Sequence, residues 1–286
     1  VIEEARTPVP KFAYQLNAWG GVAGTPGAVT DIASGHYLTP GDPAPAIAAI
    51  AAAGFTGIEI FDGNLFALAD SKNDFVGQLD ANGLELVGVY SGGHFIYPDA
   101  HEDELDRFDR SIAIAAEFGA SHFVIGGGAV RSTGRRDRDY VVMADLLDQV
   151  ADRARAAGLI PSYHPHLGSL AEAPDQIDAL LAASSIGLCA DVAHLAAGGG
   201  DPVAIIDRYA QRLEYVHLKD FDPASGGFVP LGEGALDMAG VVDAVVRTGY
   251  RGWVGVELDG YPGDPDAAAR RSFAYLEGTP LASLPQ

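Results

Sequence analysis

The chain has 286 residues, 48% hydrophobic and 20% charged, which is enough apolar surface for one large core, and α/β barrels of about 250 residues commonly form a single domain. Its 18 Lys and Arg stand against 39 Asp and Glu, a net charge of −21 that repels phosphate backbones and argues against nucleic-acid partners. One cysteine, Cys189, excludes an internal disulfide; no stretch approaches the ~18 apolar residues of a membrane span, and with no signal-peptide order at the N-terminus the chain reads as cytoplasmic.

Residues 1–10 read as an irregular N-terminal arm. Short runs rich in Val, Ile, Phe and Tyr follow at 12–16, 57–61, 85–90, 122–126, 160–164, 187–191, 215–218 and 253–257, and each reads as a strand. Alanine-rich amphipathic stretches separate them, at 43–53, 72–82, 102–118, 139–157, 174–183, 202–211, 238–248 and 266–276. Pro43 and Gly54 bracket the first of these as helix-end chemistry requires. Eight strand–helix units in unbroken order, with connections long enough for parallel crossovers, predict a (β/α)8 TIM barrel, one domain over residues 1–286. An open doubly wound sheet is the alternative. The Gly-rich stretch 20–39 is longer than compact domains usually tolerate without a purpose, which makes it a candidate active-site loop.

In such a barrel the polar residues at strand C-termini converge on one mouth. Strands five to eight end in Tyr163-His164-Pro165-His166, Cys189-Ala190-Asp191, Val216-His217-Leu218-Lys219 and Val254-Gly255-Val256-Glu257. His164, Asp191, His217 and Glu257 thus come from four adjacent strands. Mixed imidazole and carboxylate donors suit Mn²⁺, Fe²⁺, Co²⁺ or Zn²⁺ rather than Ca²⁺. Taken singly, each is equally well a hydrogen-bonded strand-end residue. His166, His194 and Lys219 lie two or three positions beyond and can meet a substrate. Glu59, at the end of strand two, needs a buried partner. His94, after Gly92-Gly93, can reach the mouth, as can His36 from the first long loop. Trp19 either stacks on a sugar ring or packs. His101 and His122 read as surface or packing residues, and Gly126-Gly127-Gly128 lacks the Lys-Ser/Thr of a phosphate loop.

These strand ends resemble the xylose-isomerase-like barrel superfamily of sugar isomerases, epimerases and dehydratases. The carriers are Gly54-Phe55-Thr56-Gly57-Ile58-Glu59, Tyr163-His164-Pro165-His166-Leu167-Gly168, Asp191-Val192-Ala193-His194, His217-Leu218-Lys219-Asp220, Phe228-Val229-Pro230-Leu231-Gly232-Glu233-Gly234 and Gly249-Tyr250-Arg251-Gly252-Trp253 leading to Glu257. The wording of strands five and seven looks most like the inosose dehydratase branch. The resemblance implies a divalent metal, Mn²⁺ foremost with Co²⁺, Fe²⁺, Zn²⁺ or Mg²⁺ as alternatives, at positions 164, 191, 217 and 257. It also makes Asp191 and His194 a ligand and substrate-contact pair. Ketose epimerases of the superfamily usually carry glutamate where this chain has His164, which moves the expectation from isomerase towards lyase.

The expected chemistry is metal-assisted β-elimination from an inosose or keto-sugar, including cleavage of 3-keto-glycosides and C-glycosides. Glu257, His94, His166 and Glu59 are rival candidates for the base, and His194, Lys219 and Trp19 for substrate contacts. An isomerase or epimerase is the first alternative. A non-catalytic sugar-binding or partner-subunit protein is the alternative of another class, and a homo-oligomer or second subunit stays open.

Overall fold

The computed structural model describes residues 11–21, 29–31 and 35–284; the expected arm at 1–10 and parts of the 20–39 loop lie outside the described residues. Eight parallel strands close on themselves: β1 (Phe12–Gln15), β4 (Gly57–Phe61), β5 (Glu85–Gly93), β6 (His122–Gly127), β7 (Ile160–Tyr163), β8 (Gly187–Asp191), β9 (Leu213–Leu218) and β12 (Val254–Val256). Strand β1 pairs with both β12 and β4, so the sheet has no edge. The barrel is closed, as the eightfold rhythm predicts.

Helix boundaries follow local chemistry. Asp201 and Asp264 each precede proline, and each carboxylate accepts N–H groups of the first turn, of α8 (Pro202–Arg208) and α10 (Pro265–Glu277) respectively; this is an N-cap followed by a proline whose missing N–H costs nothing there. Helix α1 (Ala44–Ala53) ends on Gly54 at φ 109°, a left-handed conformation that glycine adopts without a Cβ clash. Two short helices directly after barrel strands, α2 (Asp62–Ala67) and α7 (Val192–Ala197), were not expected from periodicity; six residues are too few to show it.

Two antiparallel ribbons decorate the C-terminal mouth. Strands β2 (Val29–Asp31) and β3 (His36–Leu38) pair within the stretch expected to be a loop, and β10 (Asp220–Asp222) pairs with β11 (Gly227–Val229). Most of the apolar core lies between the barrel wall and its helices. A smaller cluster, including Phe61, Val87, Tyr90, Val124, Tyr215 and Trp253, fills the barrel interior. Glycine makes the room: a Cβ on Gly255 would come 2.8 Å from the Tyr215 hydroxyl and 3.2 Å from the His217 ring. Among the described residues no helix is long and apolar enough to cross a membrane.

Candidate active site

Alternation along a strand sends residues i and i+2 to the same face. On β9 this aligns Tyr215, His217 and then Lys219 inward, and after β12 it aligns Glu257 with Asp259. Closure brings these to the ends of β7 and β8. His164 Nε2 lies 3.2 Å from Asp191 Oδ2 and 3.7 Å from Glu257 Oε2, while His217 Nδ1 lies 3.2 Å from Glu257 Oε2 and 3.9 Å from Asp191 Oδ2. All four residues are at most 3% exposed. A tetrahedral metal site with bonds of about 2.0–2.2 Å has ligand–ligand separations of about 3.3–3.6 Å, so the four imidazole–carboxylate separations stand near such spacing. The set of ligand atoms that all lie within 4.8 Å of one another is completed by His194 alongside His164, Asp191 and Glu257, while His217 falls in a second set with Glu59 and Glu257. His194 Nε2, however, faces Asp259 Oδ2 at 3.1 Å and Lys219 Nζ at 3.2 Å. His217 is the better-anchored fourth donor: its Nε2 is held by Glu59 Oε2 at 2.8 Å.

The charge balance also fits a cation. The buried Glu59, Asp191 and Glu257 and the partly exposed Asp259 face one lysine and a group of imidazoles, and buried charge of one sign is costly without a counter-ion. Burial by itself raises the pKa of Asp191 and Glu257, yet the Lys219 ammonium holds both carboxyls far below the ordinary carboxylate range. The same contest leaves Asp259 at about 2. Burial opposes the imidazolium of His164, but hydrogen bonds to Asp191 and Glu257 raise its pKa. Ligation of a divalent ion by His164 would require the neutral ring, so it would compete with that proton.

The structure separates the other candidates. Glu59 does not reach the cavity: it sits below the four donors, bonded to His217 and to Gln15 Nε2 at 3.1 Å, where a carboxylate orients a histidine ligand. Lys219 is fully buried, with its ammonium occupied by Glu257, Asp191, Asp259 and His194 rather than offered to substrate. Trp19 points outward, because a 3₁₀ turn after β1 swings it to the helical ring, where its indole N–H donates to Asp266 at 2.8 Å. His36 does not close over the mouth either; it is buried, with Nδ1 2.9 Å from Asp62 Oδ2. His94 stands at the rim, its side chain 75% exposed and 3.6 Å from Glu104. His166 lines the cavity beside Glu257 and Asp259, its ring 3.8 Å from that of His194.

The cavity above the donors is about 590 Å³, within the usual range for a small-molecule site. Tyr37, Phe61 and Tyr90 form one wall, mutually packed with centroids 5.3–5.7 Å apart. Sequence reasoning did not single out Asp259, although the i+2 rule that flagged Lys219 also flags it. Nor did it single out Asn17, whose Nδ2 donates to Glu257 Oε1 at 3.0 Å; a lone polar residue past β1 carries no signal.

Residues 47–279 match the family described as xylose isomerase-like TIM barrel. The chain belongs to that family. Among curated relatives it is 28% identical to the rhizopine catabolism protein MocC of Rhizobium meliloti, over 72% of this chain and 71% of that one. It is 26% identical to an inosose dehydratase of Geobacillus kaustophilus, over 70% and 76%. Among solved structures it superposes on the IolI protein with a bound zinc atom at a TM-score of 0.73 and 15% identity, over 96% of this chain and 98% of that one, a likeness of fold.

Proposed function

We propose that this protein is a divalent-metal-dependent lyase that carries out β-elimination on a small polyhydroxylated ketone, an inosose or keto-sugar, with Mn²⁺ as the ion. One observation carries the proposal: His164 and His217 each face both Asp191 and Glu257 at 3.2–3.9 Å at the floor of a cavity. The similarity to an inosose dehydratase supports it, and so does the zinc in the similarly folded IolI. His164, Asp191, His217 and Glu257 would hold the ion, which supplies Lewis-acid polarisation of the substrate carbonyl and so acidifies the neighbouring carbon.

The residues above the donors do the proton work. His166 Nδ1 donates to the Leu167 carbonyl at 2.8 Å, leaving the Nε2 lone pair unprotonated. Burial, and after it the neighbouring His194, push the His166 pKa down to about 4, so the ring is neutral at pH 7 and ready to accept a proton. A base this weak needs an acidified α-carbon. His166 takes the α-proton and passes it to the departing β-hydroxyl, so the ketone becomes an enone and water. The Tyr37, Phe61 and Tyr90 wall excludes water and meets the C–H face of the ring.

The test is incubation of the Mn²⁺-loaded protein with a 2-keto-inositol and with a 3-keto-glucoside in D₂O. A dehydrated or cleaved enone product is expected from at least one, with His166→Gln lowering kcat by roughly 10²–10⁴-fold. Recovery of both substrates unchanged would overturn the proposal, and deuterium uptake without elimination would point to an isomerase. Glu59→Gln should weaken Mn²⁺ affinity by about 10–100-fold, since it releases His217 from its orienting partner; calorimetric titration measures this directly.

A further inference from the structure

A second set of ligand atoms adjoins the four assigned to the ion. His166, His194 and Asp259 each place one ligand atom within 4.8 Å of the other two, and two imidazoles with a carboxylate are themselves a donor set for a divalent transition metal. Lys219 stands among them. Its Nζ is 3.2 Å from His194 Nε2 and 3.1 Å from Asp259 Oδ2, and also 3.0 Å from Asp191 Oδ2 and 2.7 Å from Glu257 Oε2. An ammonium has three N–H donors, and this one faces four acceptors, two from each set.

The surroundings hold it there. The side chain is fully buried, and the Phe228 ring of the β10–β11 ribbon covers the ammonium at 4.7 Å from its centroid. His194 Nε2 lies between the Lys219 ammonium at 3.2 Å and Asp259 Oδ2 at 3.1 Å, while its Nδ1 is buried and has no hydrogen-bond partner among the described residues. The His194 ring is therefore held through Nε2, by the ammonium and the carboxylate together. Taking the ammonium away would leave the buried Asp191 and Glu257 and the cavity-lining Asp259 without their shared counter-charge, which a second cation or protonation of a carboxyl would have to supply.

We infer that Lys219 is a resident cation in the place of a second metal ion: it closes a His166–His194–Asp259 metal site and confines the barrel mouth to one divalent ion. The inference rests on the proposed binding of the first ion by His164, Asp191, His217 and Glu257. It has a chemical consequence. An ion on the second trio would take the His166 Nε2 lone pair, and His166 would lose its capacity to accept a proton.

The experiment is metal stoichiometry by native mass spectrometry and elemental analysis at saturating Mn²⁺ and, separately, Zn²⁺. The wild type is expected to bind one ion, Lys219→Met two, and Lys219→Met with Asp259→Asn one again. Two ions in the wild type, or one in Lys219→Met, would overturn the inference. A wild type that binds none would instead refute the first site, so the two failures are distinguishable. Should Lys219→Met fold poorly without metal, refolding it in saturating Mn²⁺ should restore a cooperative melt and raise Tm with ion concentration. A chain that stays unfolded in saturating ion would also overturn the inference, because a metal would then be unable to replace the ammonium.

Discussion

Asp191→Asn is expected to abolish stoichiometric Mn²⁺ binding and to lower lyase turnover by about 10³-fold or more. The two carboxylate oxygens do different work. Oδ1 accepts the His194 N–H at 2.8 Å and caps α7, and asparagine keeps an acceptor there. Oδ2 faces His164 at 3.2 Å and Lys219 at 3.0 Å, and its charge is what asparagine removes. The helix should therefore persist while the ion is lost. Lewis-acid stabilisation contributes several kcal/mol, and each 1.36 kcal/mol corresponds to about tenfold in rate. Calorimetric titration with Mn²⁺ and steady-state kinetics read the two effects separately. An Asp191→Asn protein that retains both its ion and its turnover would remove the enzymatic proposal and leave only the barrel.

The largest expected loss of stability lies elsewhere, at Asp62. This buried carboxylate accepts the backbone N–H groups of Tyr37 and Gly63, the Ser91 and Ser111 hydroxyls at 2.7 and 2.8 Å, and His36 Nδ1 at 2.9 Å. The Arg107 guanidinium lies 4.0 Å away. Asp62 thereby ties the β2–β3 ribbon, and the cavity-lining Tyr37 with it, to the barrel and to α4 (His101–Glu117). Asp62→Ala leaves Arg107 without its buried counter-charge and strands several donors, which should cost about 3–5 kcal/mol. In a chain of this size that lowers Tm by roughly 10 °C. Asp62→Asn keeps an acceptor and should lose less. Thermal and denaturant unfolding of the two variants measure the difference, and a wild-type Tm for Asp62→Ala would refute the role.

Much of the architecture was legible in the sequence because its signals are local. A strand needs only four to six residues of the right type, and α1, α8 and α10 announce their ends through proline, aspartate and glycine within a turn. The inward alternation that aligns His217 with Lys219 is likewise a property of adjacent residues. Less legible were the ribbons at the mouth, since three-residue strands carry no periodicity, and Trp19, which a single 3₁₀ turn redirects to Asp266.

The sequence by itself therefore determined an eightfold β/α barrel whose last four strands end in imidazole and carboxylate. Only the tertiary structure decided how these groups face one another. Closure sets Asn17 against Glu257, 240 positions away, and shifts of register between β4 and β5 and between β8 and β9 adjust the height of neighbouring strands. In the closed barrel Glu59 stands against His217 instead of in the cavity, and Lys219 is seated among three carboxylates. Hydrogen bonds and ion pairs depend on separations of a few tenths of an ångström between distant segments, and no local pattern encodes such distances.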